Sequence, residues 1–177
     1  MNPLFYPWYD AVDGDDLEQG DILESCRVFL PPPESAVGPA EEVTFRWEER
    51  DTIIMSQTCD MAKGHEKITE VILCPVWNRS ELTDGHLATS KGMEDARRGN
   101  LPGFHVLAEC HLPGFQREVR VVDFRRVYSL PLDYVRQQAG KAGERIRLLP
   151  PYREHLSQGF ARFFMRVGLP VDIPSFQ

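Results

Sequence analysis

Thr52-Ile53-Ile54-Met55-Ser56-Gln57-Thr58-Cys59 and Ile68-Thr69-Glu70-Val71-Ile72-Leu73-Cys74-Pro75-Val76 decide how this chain is read. Both are short, nearly continuous apolar runs rich in β-branched residues, the pattern of strands buried on both faces. They predict the central strands of a sheet. Just upstream, Val43-Thr44-Phe45-Arg46-Trp47-Glu48 alternates apolar and polar residues, which suits a strand with one wet face. Ile22 to Leu30 carries β-branched and aromatic residues and stops at Pro31-Pro32-Pro33, so it predicts a further strand followed by a loop to Glu42. Downstream, Phe104 to Cys110 and Glu118 to Phe124 predict two strands around the turn residues Pro113-Gly114. Arg126 to Leu130 extends the sheet, and Arg145 to Leu149 predicts a last short strand.

Helices are predicted over Lys91 to Arg98, from Pro131 to about Gln138, and most strongly after Pro151. There Tyr152, Leu156, Phe160, Phe163, Phe164 and Val167 recur every three or four residues on one face. Arg153, Glu154, Gln158, Arg162 and Arg166 occupy the other, and Gly168 and Pro170 end the helix. The fold expected is α+β: a small, strongly bent antiparallel sheet or SH3-like barrel over residues 20–130, with a helical cap over 131–177 whose amphipathic C-terminal helix spans 151–167. Residues 20–177 make a single globular domain. Residues 1–19, aromatic at Phe5, Tyr6, Trp8 and Tyr9 and then acidic, form a latch on it, because four large rings left in water would make a sticky patch.

With 177 residues, 42% of them hydrophobic, the chain can bury a core without disulfides or a structural metal. It has no apolar run of membrane-spanning length and no basic start followed by an apolar stretch, so a soluble, cytoplasmic, prokaryotic protein is expected, with no membrane partner. Cys26, Cys59, Cys74 and Cys110 are widely spaced, as reduced thiols are. The net charge of −7 conceals a split: residues 1–116 carry 9 basic and 21 acidic side chains, and residues 117–177 carry 11 basic, ten of them Arg, and 6 acidic. An arginine-rich part can pair internally with the acidic part or dock a partner. Arg153, Arg162 and Arg166 on the last helix are the candidate binding residues, since guanidinium groups suit carboxylate and phosphate. RNA is disfavoured by the acidic first part.

Chemistry concentrates at Ser56-Gln57-Thr58-Cys59-Asp60, where reactive groups leave the end of a strand. A Cys59 thiolate would need a base, and His65, His105 and His111 are the candidates. Two other readings compete: the cluster forms a polar binding site, or Ser56, Thr58 and Asp60 organise the turn while Cys59 fills a small apolar space. Cys59, His65 and His105 offer sulfur and nitrogen to zinc, but without the close ligand pairs of structural zinc, so no metal and no cofactor are expected. Neither a Gly-rich phosphate loop, a Gly-x-Ser-x-Gly elbow nor a His-Glu-x-x-His occurs.

Gly20-Asp21-Ile22-Leu23, Ile53 to Asp60, the strand ending Cys74-Pro75-Val76, Val122-Asp123-Phe124 and Pro151-Tyr152-Arg153-Glu154-His155-Leu156 together resemble a group of uncharacterised bacterial proteins. That resemblance names no activity. The order Gly-Asp, strand, long loop, apolar strand ending in Ser, then strand ending in Pro-Val also resembles the opening of the PemK/MazF-type toxins, SH3-like barrels that cleave RNA. This likeness implies Arg27 in the arginine role and Ser56 or Thr58 in the hydroxyl role, although the Arg-Pro pair usual before the central strand is missing here. The function expected first is a non-enzymatic protein-interaction or regulatory accessory module of a prokaryotic toxin or defence-related system. The alternatives are a PemK/MazF-like endoribonuclease using Arg27 and Ser56 or Thr58, and a thiol- or metal-dependent hydrolase centred on Cys59.

Overall fold

The computed structural model describes residues 6–30 and 45–165. Eight strands make one antiparallel sheet: β1 (Tyr9–Val12), β2 (Asp21–Leu30), β3 (Arg46–Ile54), β4 (Glu70–Asn78), β5 (Phe104–Leu107), β6 (Arg120–Asp123), β7 (Tyr128–Pro131) and β8 (Arg145–Leu148). Four helices accompany them: α1 (Thr58–Met61), α2 (Ser90–Arg97), α3 (Leu132–Ala142) and α4 (Tyr152–Phe164). The strand order is β1-β8-β2-β3-β4-β6-β5, with β7 also paired to β4. The ends of that order, β1 and β5, do not pair, so the sheet is open. Of the two α+β forms expected, an antiparallel sheet with helices is observed and the closed SH3-like barrel is not.

The continuous apolar runs of β3 and β4 follow from burial on both faces. Ile53, Cys74, Ile22 and Val76 join Leu156 of α4 in one core, while Ile54, Leu73, Leu23 and Val71 join Leu132, Val135 and Ala139 of α3 in a second. Neighbouring residues thus enter opposite cores, as a period of two requires. A third, smaller cluster of Leu87, Ala96 and Val121 packs α2 against the sheet. β2 carries an irregularity of the bulge kind, where the pairing with β3 shifts between Leu23 and Cys26 and Ser25 has φ 51°. Among the described residues no helix is long and apolar enough to cross a membrane.

Several boundaries differ from those expected. Arg46–Ile54 is one strand, because Glu49, Arg50 and Asp51 remain in extended pairing instead of turning: Arg50 pairs with Glu48, and Asp51 accepts the Ser25 N–H at 2.9 Å. The sheet also reaches beyond 20–130. Tyr9–Val12, expected in a separate latch, is its edge strand, and Arg145–Leu148, expected within the cap, lies between β1 and β2. The aromatic packing of the first segment is present in part: Trp8 stacks on Tyr152 at 3.7 Å, and the buried Tyr9 donates to the Ala108 carbonyl at 2.7 Å, whereas Tyr6 is half exposed. β6 and β7 run in turn along the same strand β4, separated by Phe124–Val127. Phe5, the loop at 31–42, Val43, Thr44, Arg166, Val167 and Gly168 lie outside the described residues.

Asp21 and Arg147 face each other across β2 and β8, and the carboxylate, fully buried, also takes Arg145 at 2.8 Å. Charged groups removed from water need such paired partners. From this centre the ion pairs continue outward, Arg147 to Glu18 at 2.6 Å and Glu18 to Arg153 at 2.9 Å. Arg117 and Arg120 likewise meet Glu24. Much of the charge split in the sequence is therefore spent inside the molecule, where arginines of the last third neutralise acids of the first 24 residues.

Candidate functional site

Three stretches far apart in sequence meet where β2 begins, β3 ends and α4 starts. Gly20 is the pivot of the meeting. Its φ of +90° favours glycine, and a Cβ there would stand 3.1 Å from Leu148 Cβ and 3.3 Å from the Leu148 carbonyl oxygen. The chain around it is tied to the end of β3: the Gly20 N–H donates to the Ile54 carbonyl at 2.9 Å, and the buried Gln19 carboxamide donates to the Met55 carbonyl at 2.7 Å. The Gln19 N–H donates to Thr58 Oγ1 at 3.1 Å.

Ser56 and Thr58 are thus occupied with backbone. Ser56 Oγ accepts the Ile72 N–H of β4 at 2.9 Å, and Thr58 Oγ1 holds the loop before β2. Asp60 pairs with Lys67 at 3.5 Å and its carbonyl accepts the Lys67 N–H at 2.9 Å. These three side chains organise the turn, as one of the sequence readings held. The same reading placed Cys59 in an apolar space, and here the structure differs: Thr58–Met61 forms a single helical turn that presents the Cys59 thiol to solvent. Asp60 is its hydrogen-bond partner, at 3.6 Å. Cys26, Cys74 and Cys110 are buried, with burial raising the Cys26 thiol and pushing that of Cys74 up to about 12.

Opposite the Cys59 turn stands the first half of α4. Gln19, Gln57, Thr58 and Cys59 on one side and Arg153, Glu154, Ser157 and Gln158 on the other line an open groove of about 420 Å³. Arg153 is held in place by Glu18 and by Glu154 at 3.4 Å. The lining is mainly carboxamide, hydroxyl and thiol, with one anchored guanidinium. Gln57 belonged to the cluster singled out in the sequence, whereas Gln19, Ser157 and Gln158 carried no role there. Their signal was available in part, since positions 153, 154, 157 and 158 share one stripe of a helix, but the groove's other wall lies some 95 residues earlier.

The remaining predicted residues are elsewhere. Arg27 lies on the outer half of β2, over the Trp47 ring at 4.4 Å and 3.4 Å from Glu49. Six residues of β2 separate it from Asp21 at the start of the strand, about 20 Å along the sheet, so it is not brought to Ser56 or Thr58. His65 is exposed, His105 lies under α4, and His111 is 3.4 Å from Glu109. Among the described residues no imidazole hydrogen-bonds to Cys59, and no three His, Cys, Asp or Glu side chains converge as a metal site, so Cys59, His65 and His105 are not gathered. Arg162 is exposed on the far side of α4 from Arg153, and Arg166 lies outside the described residues. Comparison of the chain with known protein families, with curated proteins and with solved structures finds no match.

Proposed function

We propose that the protein is a non-enzymatic interaction module of a prokaryotic system, and that it docks an extended segment of a protein partner in the groove between the Cys59 turn and α4. The observation that carries this reading is the lining itself. Gln57, Gln158, Ser157 and Thr58 are donors and acceptors suited to a peptide backbone, and a chain of ion pairs rooted at the buried Asp21 fixes Arg153 beside them. A thiol hydrolase is supported less, because the hydrogen-bond partner of the Cys59 thiol is the Asp60 carboxylate and, among the described residues, no imidazole bonds to it. The ribonuclease reading would need Arg27 and a Ser56 or Thr58 hydroxyl at one phosphate, and they stand far apart. Charge complementarity is a minor part of the docking, since the arginines of the last third are largely paired internally.

The test compares tagged wild-type protein with S157W, which fills the groove, C59S and R162E after expression in the native cell. A discrete protein that co-purifies with wild type, C59S and R162E, is lost from S157W, and is cross-linked at α4 supports the docking site. Retention by folded S157W overturns it. Turnover of a thioester or ester by the wild type that disappears in C59S would replace docking with thiol chemistry.

A further inference from the structure

On the other side of α4 lies a second concavity, separate from the groove except that Gln158 borders both. It is a cleft of about 360 Å³ between the C-terminal end of α2, β5 and α4. Its rim is cationic. Arg97 and Arg98 share the one carboxylate of Glu94, at 2.7 and 2.6 Å, and Arg162 has no ion-pair partner among the described residues. Three guanidinium groups against one carboxylate leave the rim with an excess of positive charge.

The floor is of a different kind. Phe104, Val106 and Phe124 supply apolar surface, and His105 lies among them. Gly159 makes this possible, because a Cβ there would come within 3.3 Å of the Phe124 ring and 3.4 Å of His105 Nδ1. Although mostly buried, the His105 ring has no hydrogen-bond partner among the described residues; its neighbour at ring distance is Phe124, 6.1 Å away. Burial, and secondarily the nearby His155, push its pKa down to about 4, so at neutral pH it is an uncharged imidazole with an unused donor and acceptor facing a cleft. Unpartnered polar atoms beneath a cationic rim are a receiving site for a ligand that is flat and polar-edged at one end and anionic at the other.

We propose that this cleft binds a small organic phosphate carrying a planar ring, the chemistry of a nucleoside monophosphate. The phosphate meets Arg162 and Arg98, whose planar donor forks match its oxygens. The ring lies on the apolar floor and reaches His105 with its polar edge. The site does not depend on the docking groove, and its assignment stands or falls separately.

Calorimetric titration of the full chain with adenosine monophosphate, inorganic phosphate and adenosine tests it. The monophosphate is expected to bind at least about tenfold more tightly than either fragment. R162Q and R98Q are each expected to weaken it by about tenfold, the scale of one charge-assisted contact, while C59S and S157W leave it unchanged. Both arginines are exposed, so the variants keep the fold. Equal affinity for inorganic phosphate overturns the ring site, equal affinity for adenosine overturns the phosphate site, and wild-type affinity in both arginine variants or no binding of the monophosphate overturns the proposal as a whole.

Discussion

His105 shows how much one residue can carry. Its ring is held neutral by its surroundings down to about pH 4, whereas the unfolded chain takes up the proton near the ordinary value of 6.5. Between those values the unfolded state binds more protons than the folded one, so stability is complete above 6.5 and falls as pH is lowered toward 4. The loss is on the order of 2–3 kcal/mol. Urea unfolding at about pH 7 and about pH 4.5 is expected to show it in the wild type and to show a flatter dependence in H105Q. Glu24 adds a second decline at lower pH, because its hydrogen bond to Arg117 holds the carboxyl below the usual carboxylate range and is lost as the group protonates. An H105Q variant with an unchanged pH slope would remove the histidine from this account.

At the scale of the element, α4 is the wall common to both concavities, and one side chain anchors it. Leu156 is fully buried, flanked by the partly buried Tyr152, Phe160 and Phe163. Truncation by L156A is expected to cost about 2–5 kcal/mol and to increase amide exchange in α4 before the rest of the sheet. Uniform exchange across β3, β4 and α4 would contradict that order. This helix was the most legible part of the sequence, since its apolar residues recur at helical spacing. The central strands were legible for a related reason: continuous apolar runs fit only strands buried on both faces. What escaped was set by partners distant in the chain. Glu49-Arg50-Asp51 looks like a turn until Glu48 and Ser25 are seen to keep it extended, and Tyr9–Val12 is too short to declare itself without β8. Likewise, half of the groove could be found at Cys59, but the other half had to wait for the fold to bring α4 to it.

For the whole molecule, the ion pairs turn a lopsided sequence into a bound-up interior. Asp21 has its two arginines on β8, and β8 also holds β1 and β2 together. A fragment of residues 1–140, which lacks β8 and α4, is accordingly expected to show no cooperative unfolding transition and poor amide dispersion, and a folded fragment would contradict the role given to β8. The same placement gives the protein a schedule. During synthesis at about 5–20 residues per second, the free edge of β2 and the unpaired Asp21 wait roughly ten seconds for the strand that completes them. Until then one edge of β2 stays open, a template for strand pairing that closes when β8 arrives.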